Sequence, residues 1–179
     1  MDEPFNPDEH IRSLMDWPKE GVVFRDITPL FTKASNFRRI VDLFAHRHFA
    51  AAIDAVAAID ARGFIIGAPV AYALGVAFVP IRKKGKLPGS VISQPYTLEY
   101  GEAELEIQTD CLFPGARVLL IDDLIATGGT LVAASGLLRR LEVKILEVNA
   151  IVDLPDLGGS AKLRQQGIAV HAFCSFAGI

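Results

Sequence analysis

Two adjacent carboxylates, Asp122 and Asp123, stand just before a run of small and hydroxyl-bearing residues at 126–130. In a glycine-containing turn that begins a helix, backbone N–H groups and the hydroxyls of Thr127 and Thr130 can hold a phosphate. Carboxylates repel phosphate, so the two aspartates need a different partner close by. The vicinal hydroxyls of a ribose suit them, with Mg²⁺ nearby to offset the repulsion. The spacing predicts a ribose 5-phosphate site, although the same residues also fit a loop whose aspartates only cap the helix.

The elements around this loop indicate how it is positioned. Strands are predicted at 54–60, 76–81, 117–122, 144–154 and 169–176, and helices at 37–49, 69–74 and 129–142. Strands that alternate with helices and are nearly all apolar predict an α/β fold, a mostly parallel sheet with helices on both faces. Ligands of such sheets bind at the carboxyl ends of the strands, where residues 122–130 fall. A further segment at 91–108, broken at Tyr100-Gly101, is predicted to be a pair of strands or a mobile hairpin standing off the sheet.

Composition limits the class of protein. The chain has 179 residues, of which 51% are hydrophobic and 22% charged, and its net charge is −3. These values predict one globular domain, with no basic surface for nucleic acid or acidic membranes. Cys111 and Cys174 lack metal-binding spacing, which favours reduced thiols and a cytoplasmic protein. The acidic start of the chain is not typical of a signal peptide.

One uncharged stretch, "GFIIGAPVAYALGVAFVPI" at 63–81, approaches the length that crosses a bilayer. Pro69 and Gly75 divide it, so we expect a buried helix followed by a buried strand and no membrane span.

The loop segment "VLLIDDLIATGGT" at 118–130 resembles the phosphoribosyl pyrophosphate (PRPP) signature of the type I phosphoribosyltransferases. The resemblance implies that Asp122 and Asp123 bind the ribose hydroxyls. It assigns the 5-phosphate to Ala126, Thr127, Gly128, Gly129 and Thr130. It also implies Mg²⁺ bound through PRPP, with no metal held directly by protein side chains.

Four further segments resemble the adenine-using members of this family: "WPKEGVVFRDITPLF" (17–31), "ARGFIIGAPVAYALG" (61–75), "IRKKGKLPG" (81–89) and "YTLEYGEAELEIQ" (96–108). They imply a purine salvage enzyme that transfers the 5-phosphoribosyl group of PRPP to N9 of adenine, giving AMP and pyrophosphate. They also imply a single domain over 1–179, with a small N-terminal adenine-binding hood at 1–34 and a flexible catalytic loop, or lid, at 90–108.

The resemblance assigns the base-binding residues. Phe24 is expected to stack on adenine, Leu154 to cover its other face, and main-chain groups of Val23 and Arg25 to bind its edge. A carbonyl oxygen accepts a hydrogen bond from a 6-amino group but repels a 6-oxo group, so such contacts favour adenine. Without the resemblance, the alternative for Phe24 is a core aromatic residue. Asp26 is expected to be structural, holding Arg25 or the backbone.

The acid–base residue is expected outside the phosphate loop. Family members that use 6-oxopurines carry an aspartate there, whereas this chain has Ala126, which cannot accept a proton. The resemblance assigns proton transfer to Glu99 and exclusion of water to its neighbour Tyr100. The alternative is that Glu99 belongs to a solvated strand face with Glu102, Glu104 and Glu106.

Cations are needed for the pyrophosphate of PRPP. The resemblance assigns Arg62, Arg82, Lys83 and Lys86 to it, and it makes Arg62 a catalytic residue together with Glu99 and Tyr100. It also implies that Arg82 acts across the interface of a homodimer, and that the peptide between Asp60 and Ala61 is cis. The alternative for the basic run at 82–86 is a solvated face.

Two other functions remain open on the sequence. One is a phosphoribosyltransferase for another base, such as xanthine or hypoxanthine. The other is a PRPP-sensing regulator that binds nucleic acid without turnover, which the net charge of −3 disfavours.

Overall fold

The computed structural model describes residues 5–97 and 102–177, in which strands and helices alternate over most of the chain. The helices are α1 (Thr28–Thr32), α2 (Ala34–His48), α3 (Arg62–Leu74), α4 (Gly129–Arg140) and α5 (Gly159–Gln165), with short 3-10 turns at Pro7–His10 and Pro155–Leu157. The strands are β1 (Arg12–Leu14), β2 (Phe24–Asp26), β3 (Ala55–Ile59), β4 (Ala77–Lys83), β5 (Val91–Thr97), β6 (Glu102–Gln108), β7 (Arg117–Ile121), β8 (Leu124–Ile125), β9 (Lys144–Asp153) and β10 (Val170–Ser175).

The main sheet has the strand order β10-β9-β7-β3-β4-β6-β5, and β8 pairs with β9. The pairs from β10 to β4 are parallel, whereas β4 with β6 and β6 with β5 are antiparallel. The mostly parallel sheet predicted from the sequence is therefore confirmed. The carboxyl ends of β3, β4, β7 and β9 meet at one edge of this sheet.

A hydrophobic core lies on each face of the sheet. Ala55, Ala57 and Ile59 of β3 pack in one core with α4 and α5. Val56 and Ala58, which alternate with them, pack in the other core with α1, α2 and α3. All five are nearly or fully buried, as the side-chain period of two in a strand covered on both faces requires. The prediction of helices on both faces is confirmed.

Of the two alternatives for residues 91–108, the pair of strands is confirmed as β5 and β6. The alternative of a hairpin standing off the sheet does not hold for the described residues. Strand β6 pairs with β4 through Arg82 and Lys83. Leu105 and Ile107 of β6 are fully buried in the core with α4. Burial of two large side chains on one face of β6 attaches the base of the hairpin to the sheet. Residues 98–101, which join the two strands, lie outside the described residues.

A small N-terminal sheet pairs β1 with β2 antiparallel, with Leu14 opposite Phe24. It is attached to the main body through Ile27 and Leu30, which are buried in the core with α2 and α3. Asp26 is structural and accepts from the backbone, as expected: the Thr28 amide donates to it at 2.9 Å. Its side-chain partner is Arg12, whose Nε donates at 3.0 Å, rather than Arg25. These hydrogen bonds, chiefly with Thr28, lower the pKa of Asp26.

The uncharged stretch at 63–81 forms most of α3 and the start of β4, as predicted. Gly75 ends α3 in the left-handed region at φ 69°, whereas Pro69 lies inside the helix. Among the described residues, no helix has both the length and the apolar character needed to cross a membrane.

Candidate active site

The loop between β7 and α4 lies at the carboxyl edge of the sheet, as predicted. Asp122 and Asp123 follow β7 directly, and a cavity of about 90 Å³ is lined by Asp122, Leu124 and residues 126–131. Gly128, at φ 80°, stands at the N-cap of α4 and provides no side-chain cap. The first N–H groups of a helix have no partner inside the helix, so this terminus can bind an anion. The structure thus brings together the residues assigned to the 5-phosphate, while phosphate binding itself stays a prediction.

The aspartate pair carries unfavourable charge. Burial, and then the negative charge of Asp123, raise the pKa of Asp122 well above its usual range. Burial also raises the pKa of Asp123, although Arg62 opposes this. Asp122 Oδ1 accepts from the Asp123 amide at 2.9 Å. A ligand that offers hydroxyl donors or a cation here would stabilise the ionised carboxylates, because both relieve the cost of a buried charge.

Arg62 begins α3 and connects the aspartate pair to the N-terminal segment. Its Nε lies 2.8 Å from Asp123 Oδ2 as an ion pair without hydrogen-bond geometry. Its guanidinium carbon lies 5.8 Å from the centroid of the Phe24 ring. The peptide between Asp60 and Ala61 just before it is cis, as the resemblance implied. The close approach of α3 to the loop needs Gly63, because a Cβ there would lie 3.0 Å from Asp122 Oδ1.

Arg82 faces the same edge from β4. Its Nε donates to Asp60 Oδ2 at 3.2 Å, and a terminal nitrogen donates to the Lys86 carbonyl at 3.1 Å. Lys83 and Lys86 are exposed. Asp60 was missed by the sequence analysis, although it follows an apolar strand as Asp122 does. Its Oδ1 is buried without a hydrogen-bond partner, which leaves an acceptor beside the basic residues.

The basic turn at 82–86 is hydrogen-bonded to strand β6 of the β5–β6 hairpin. Glu106 is only 5% exposed, and its Oε2 accepts from the Gly85 amide at 2.9 Å. Lys84 pairs with Glu104, Nζ to Oε1 at 3.0 Å. Glu106 is therefore an anchor of the turn, and the alternative of a solvated face does not hold for it. The strand register, which places Glu106 opposite Arg82, was not readable from the sequence.

The residues assigned to adenine lie on two segments. Phe24 is half-buried and packs against Trp17, with ring centroids 4.3 Å apart. The side chain of Arg25 turns away, donating to the Ala177 carbonyl at 3.2 Å and lying over the Phe176 ring. The main chain of Arg25 lies in β2, opposite Ser13 of β1, and its assigned contact with a base stays a prediction. Val23 precedes Phe24, and Leu154 is buried after β9, its amide donating to the Ile125 carbonyl at 2.9 Å. The structure places Leu154 beside the phosphate loop.

The hairpin reaches the phosphate loop at the end of β5. Burial raises the pKa of Tyr96, and the side chain of Thr130 opposes this shift. A Cβ on Gly129 would lie 3.2 Å from the Thr97 carbonyl oxygen. Glu99 and Tyr100, the predicted proton-transfer and water-excluding residues, lie outside the described residues. The last described residue before them, Thr97, lies against the first turn of α4.

Within residues 5–97 and 102–177, no group of three or more His, Cys, Asp or Glu side chains has an arrangement that could hold a metal ion. The carboxylates of Asp60, Asp122 and Asp123 are nonetheless oxygen ligands of the type that Mg²⁺ accepts. Their placement fits a cation that arrives bound to a ligand.

Comparison with known proteins defines the class. The family described as "Phosphoribosyl transferase domain" matches residues 32–166. The adenine phosphoribosyltransferase of Chromohalobacter salexigens is 54% identical over 166 residues, covering 93% of this chain and 92% of the relative. That of Marinobacter nauticus is 54% identical over 168 residues, covering 94% and 93%.

Solved structures agree. The adenine phosphoribosyltransferase of Thermoanaerobacter pseudethanolicus has a TM-score of 0.89 at 40% identity, covering 95% of this chain and 98% of that one. The enzyme of Saccharomyces cerevisiae, solved with an imino-altritol bisphosphate and adenine, has a TM-score of 0.88 at 36% identity, covering 93% and 96%.

The fold and the loop at 122–130 are thus those of a phosphoribosyl transferase domain. At this similarity over most of its length, the chain belongs to the adenine phosphoribosyltransferase family. The family and the transferase class predicted from the sequence are confirmed.

Proposed function

We propose that this protein transfers the 5-phosphoribosyl group of PRPP to N9 of adenine, giving AMP and pyrophosphate. The observation that carries the proposal is the loop at 122–130, where the half-buried Asp122 and the buried Asp123 stand beside a helix N-terminus without a side-chain cap. The two carboxylates suit the hydroxyls of a ribose, and the helix N-terminus suits its 5-phosphate. The choice of adenine as the base rests on membership of the family.

The PRPP site is built from three segments. Asp122 and Asp123 accept hydrogen bonds from the ribose hydroxyls, and residues 126–130 hold the 5-phosphate. Arg62, Arg82, Lys83 and Lys86 bind the pyrophosphate. Arg62 and Arg82 already lie near the aspartate pair and Asp60. Mg²⁺ carried by PRPP would neutralise part of the diphosphate charge and so make pyrophosphate a better leaving group.

The adenine site lies between the N-terminal segment and Leu154. Main-chain groups of Val23 and Arg25 bind the amino-bearing edge of the base, and Phe24 and Leu154 cover its faces. The contact of Phe24 with Trp17 and the guanidinium of Arg62 supports this position, because it places an aromatic ring beside the ribose site.

The reaction exchanges one bond at C1′ for another. The bond from C1′ to the pyrophosphate oxygen breaks, and its electron pair leaves with pyrophosphate. The lone pair of adenine N9 forms the new bond to C1′, and the N9 proton passes to Glu99. Arg62 and Arg82 stabilise the charge that develops on the leaving group. Tyr100 excludes water, which would otherwise hydrolyse PRPP.

The organisation of the whole chain follows the same proposal. The chain acts as one domain in the cytoplasm, with 1–34 as the hood over adenine and 90–108 as the catalytic loop. Free Cys111 and Cys174 are consistent with a reducing compartment. No nucleic-acid partner is part of the proposal.

The specificity is tested by supplying the protein with Mg²⁺, PRPP and, separately, adenine, hypoxanthine, guanine, xanthine or orotate, and separating the nucleotides by chromatography. AMP is expected from adenine, with the other bases reacting at least about a hundredfold more slowly. Nucleotide from hypoxanthine or xanthine but none from adenine would contradict the proposed specificity. Salt-dependent RNA or DNA binding without pyrophosphate release would instead support the alternative function, a PRPP-sensing regulator without turnover.

The active unit is proposed to be a homodimer. An apolar surface on α2 and α3 supports this, because a cavity of about 320 Å³ there is lined by Phe37, Val41, Pro69 and Tyr72, among others. Tyr72 is 89% exposed, and an exposed aromatic residue on an apolar surface is typical of an interface. Arg82 contacts Asp60 of its own chain, so action across the dimer needs a direct test.

Mixing two inactive variants provides that test. Arg82→Ala and Asp122→Asn are each expected to retain no more than about 1% of wild-type activity alone. If Arg82 acts across the interface, a mixed dimer contains one site with both residues intact, and random exchange of subunits restores about a quarter of wild-type activity. No recovery in a mixture whose mixed dimers are shown by native mass spectrometry would place Arg82 in the site of its own chain.

A further inference from the structure

The back of the phosphate loop is held by α5. The amide of Gly159 donates to the Ala126 carbonyl at 3.1 Å, and Lys162 Nζ donates to the Thr127 carbonyl at 2.9 Å. These are two successive carbonyls of the loop. The contact is tight, because a Cβ on Gly159 would lie 2.3 Å from the Ala126 oxygen. The loop and the start of α5 therefore pack backbone against backbone.

The hydrogen bonds that the Ala126 and Thr127 carbonyls accept from α5 fix the direction of the next two amides, those of Thr127 and Gly128. A trans peptide points its N–H away from its C=O, and the two peptides concerned are trans. With the carbonyls of Ala126 and Thr127 bound on the α5 side, the amides of Thr127 and Gly128 point away from α5. Among the described residues, neither amide is paired with a protein acceptor. Both residues line the loop cavity.

Helix α5 is itself fixed at its far end. Arg139 of α4 donates to the Gln166 carbonyl at 2.8 Å and to its side-chain oxygen at 3.3 Å. Leu163 is fully buried in the core with α4. Lys162 is thus presented to the loop from a support that cannot easily shift.

We propose that Lys162 is a positioning residue for the 5-phosphate: its ammonium holds the peptide between Thr127 and Gly128 with the N–H directed at the phosphate. The proposal rests on the proposed PRPP site. Lys162 lies behind the loop and does not touch the reacting atoms. Its charge also polarises the peptide, which strengthens the N–H as a donor to an anion.

The variant Lys162→Met removes the donor and the charge while keeping a side chain of similar length. We expect KM for PRPP to rise about threefold to tenfold, which corresponds to the loss of one hydrogen bond. We expect kcat and KM for adenine to stay within about twofold of wild type by the same argument. The Kd for AMP should rise by the same factor as KM for PRPP, because AMP carries the same 5-phosphate. The Kd for adenine should not change.

Two variants complete the experiment. Lys162→Arg can donate to the same carbonyl and is expected to restore most of the PRPP affinity. Lys144→Met, which removes an exposed charge from the start of β9 at the opposite edge of the sheet, is the matched control and should leave both KM values unchanged.

The outcomes separate this inference from the function on which it rests. If the wild type makes no AMP, the proposed function fails. If the wild type is active and Lys162→Met keeps its KM for PRPP, the positioning role is wrong. It is equally wrong if KM for adenine rises in parallel or if Lys162→Arg shows no recovery, because the loss would then be a general one.

Discussion

The Glu99→Gln variant is expected to turn over about 10²- to 10⁴-fold more slowly than the wild type, the range for losing a general acid–base group. The expectation rests on Ala126, which leaves the phosphate loop without a proton acceptor, and on Thr97, whose carbonyl lies against Gly129. Thr97, the last described residue before Glu99, lies at the edge of the proposed PRPP site. Glutamine keeps the size of the side chain but cannot take the N9 proton. Stopped-time assays of AMP formation at saturating substrate measure the effect.

The matched control is Glu104→Gln on the same hairpin. Glu104 pairs with Lys84 in a contact that is partly solvated, so its loss should change turnover by less than about twofold. PRPP binding should survive in Glu99→Gln. If Glu99→Gln turns over at the wild-type rate, Glu99 is not the catalytic group.

The Asp122→Asn variant is expected to lose activity and gain stability. It removes a charged acceptor for a ribose hydroxyl, so kcat/KM for PRPP should fall about a hundredfold. It also removes a buried charge from beside Asp123. Asparagine retains the oxygen that accepts the Asp123 amide. At pH 8 and without ligand, a gain of about 1 kcal/mol in the free energy of unfolding would raise Tm by about 2–4 °C.

The sign of the pH dependence follows from the raised pKa of Asp122. A carboxyl that binds its proton more strongly in the folded state stabilises the fold at low pH, and this stabilisation is lost as pH rises through the folded pKa. The gain in the free energy of unfolding of Asp122→Asn over the wild type should therefore be largest at pH 8, and it should shrink as the solution becomes more acidic. Scanning calorimetry at several pH values measures it. The exposed control Asp110→Asn should show no such trend, and a lower Tm for Asp122→Asn at pH 8 would contradict the account.

The strand-end loop was predictable because its signal is local. An apolar strand, two acids and a glycine-containing turn before an apolar helix occupy consecutive positions, so Asp122 and Gly128 could be placed from the sequence. The parallel sheet followed from the same alternation of elements. Arg62 was assigned to the site by the resemblance, and its position directly after β3, which pairs with β7, brings it to the aspartates.

Residues that depend on register or on packing between distant elements were not predictable. Glu106 looked solvated because its neighbours along β6 are charged, yet its pairing opposite Arg82 buries it. Lys162 contacts Thr127, 35 positions away, only because α5 packs against the loop. A hairpin standing off the sheet stayed an alternative because the alternation of β6 did not reveal that Leu105 and Ile107 complete a core with α4.

The most direct test of the central claim is a competition for one limiting pool of PRPP. Equal concentrations of adenine and hypoxanthine are mixed with the wild-type protein, Mg²⁺ and PRPP, and the two nucleotide products are quantified together. The account predicts AMP in at least about hundredfold excess over IMP, because a carbonyl acceptor at the base edge pairs with a 6-amino group and repels a 6-oxo group. Equal yields of the two nucleotides, or an excess of IMP, would contradict it.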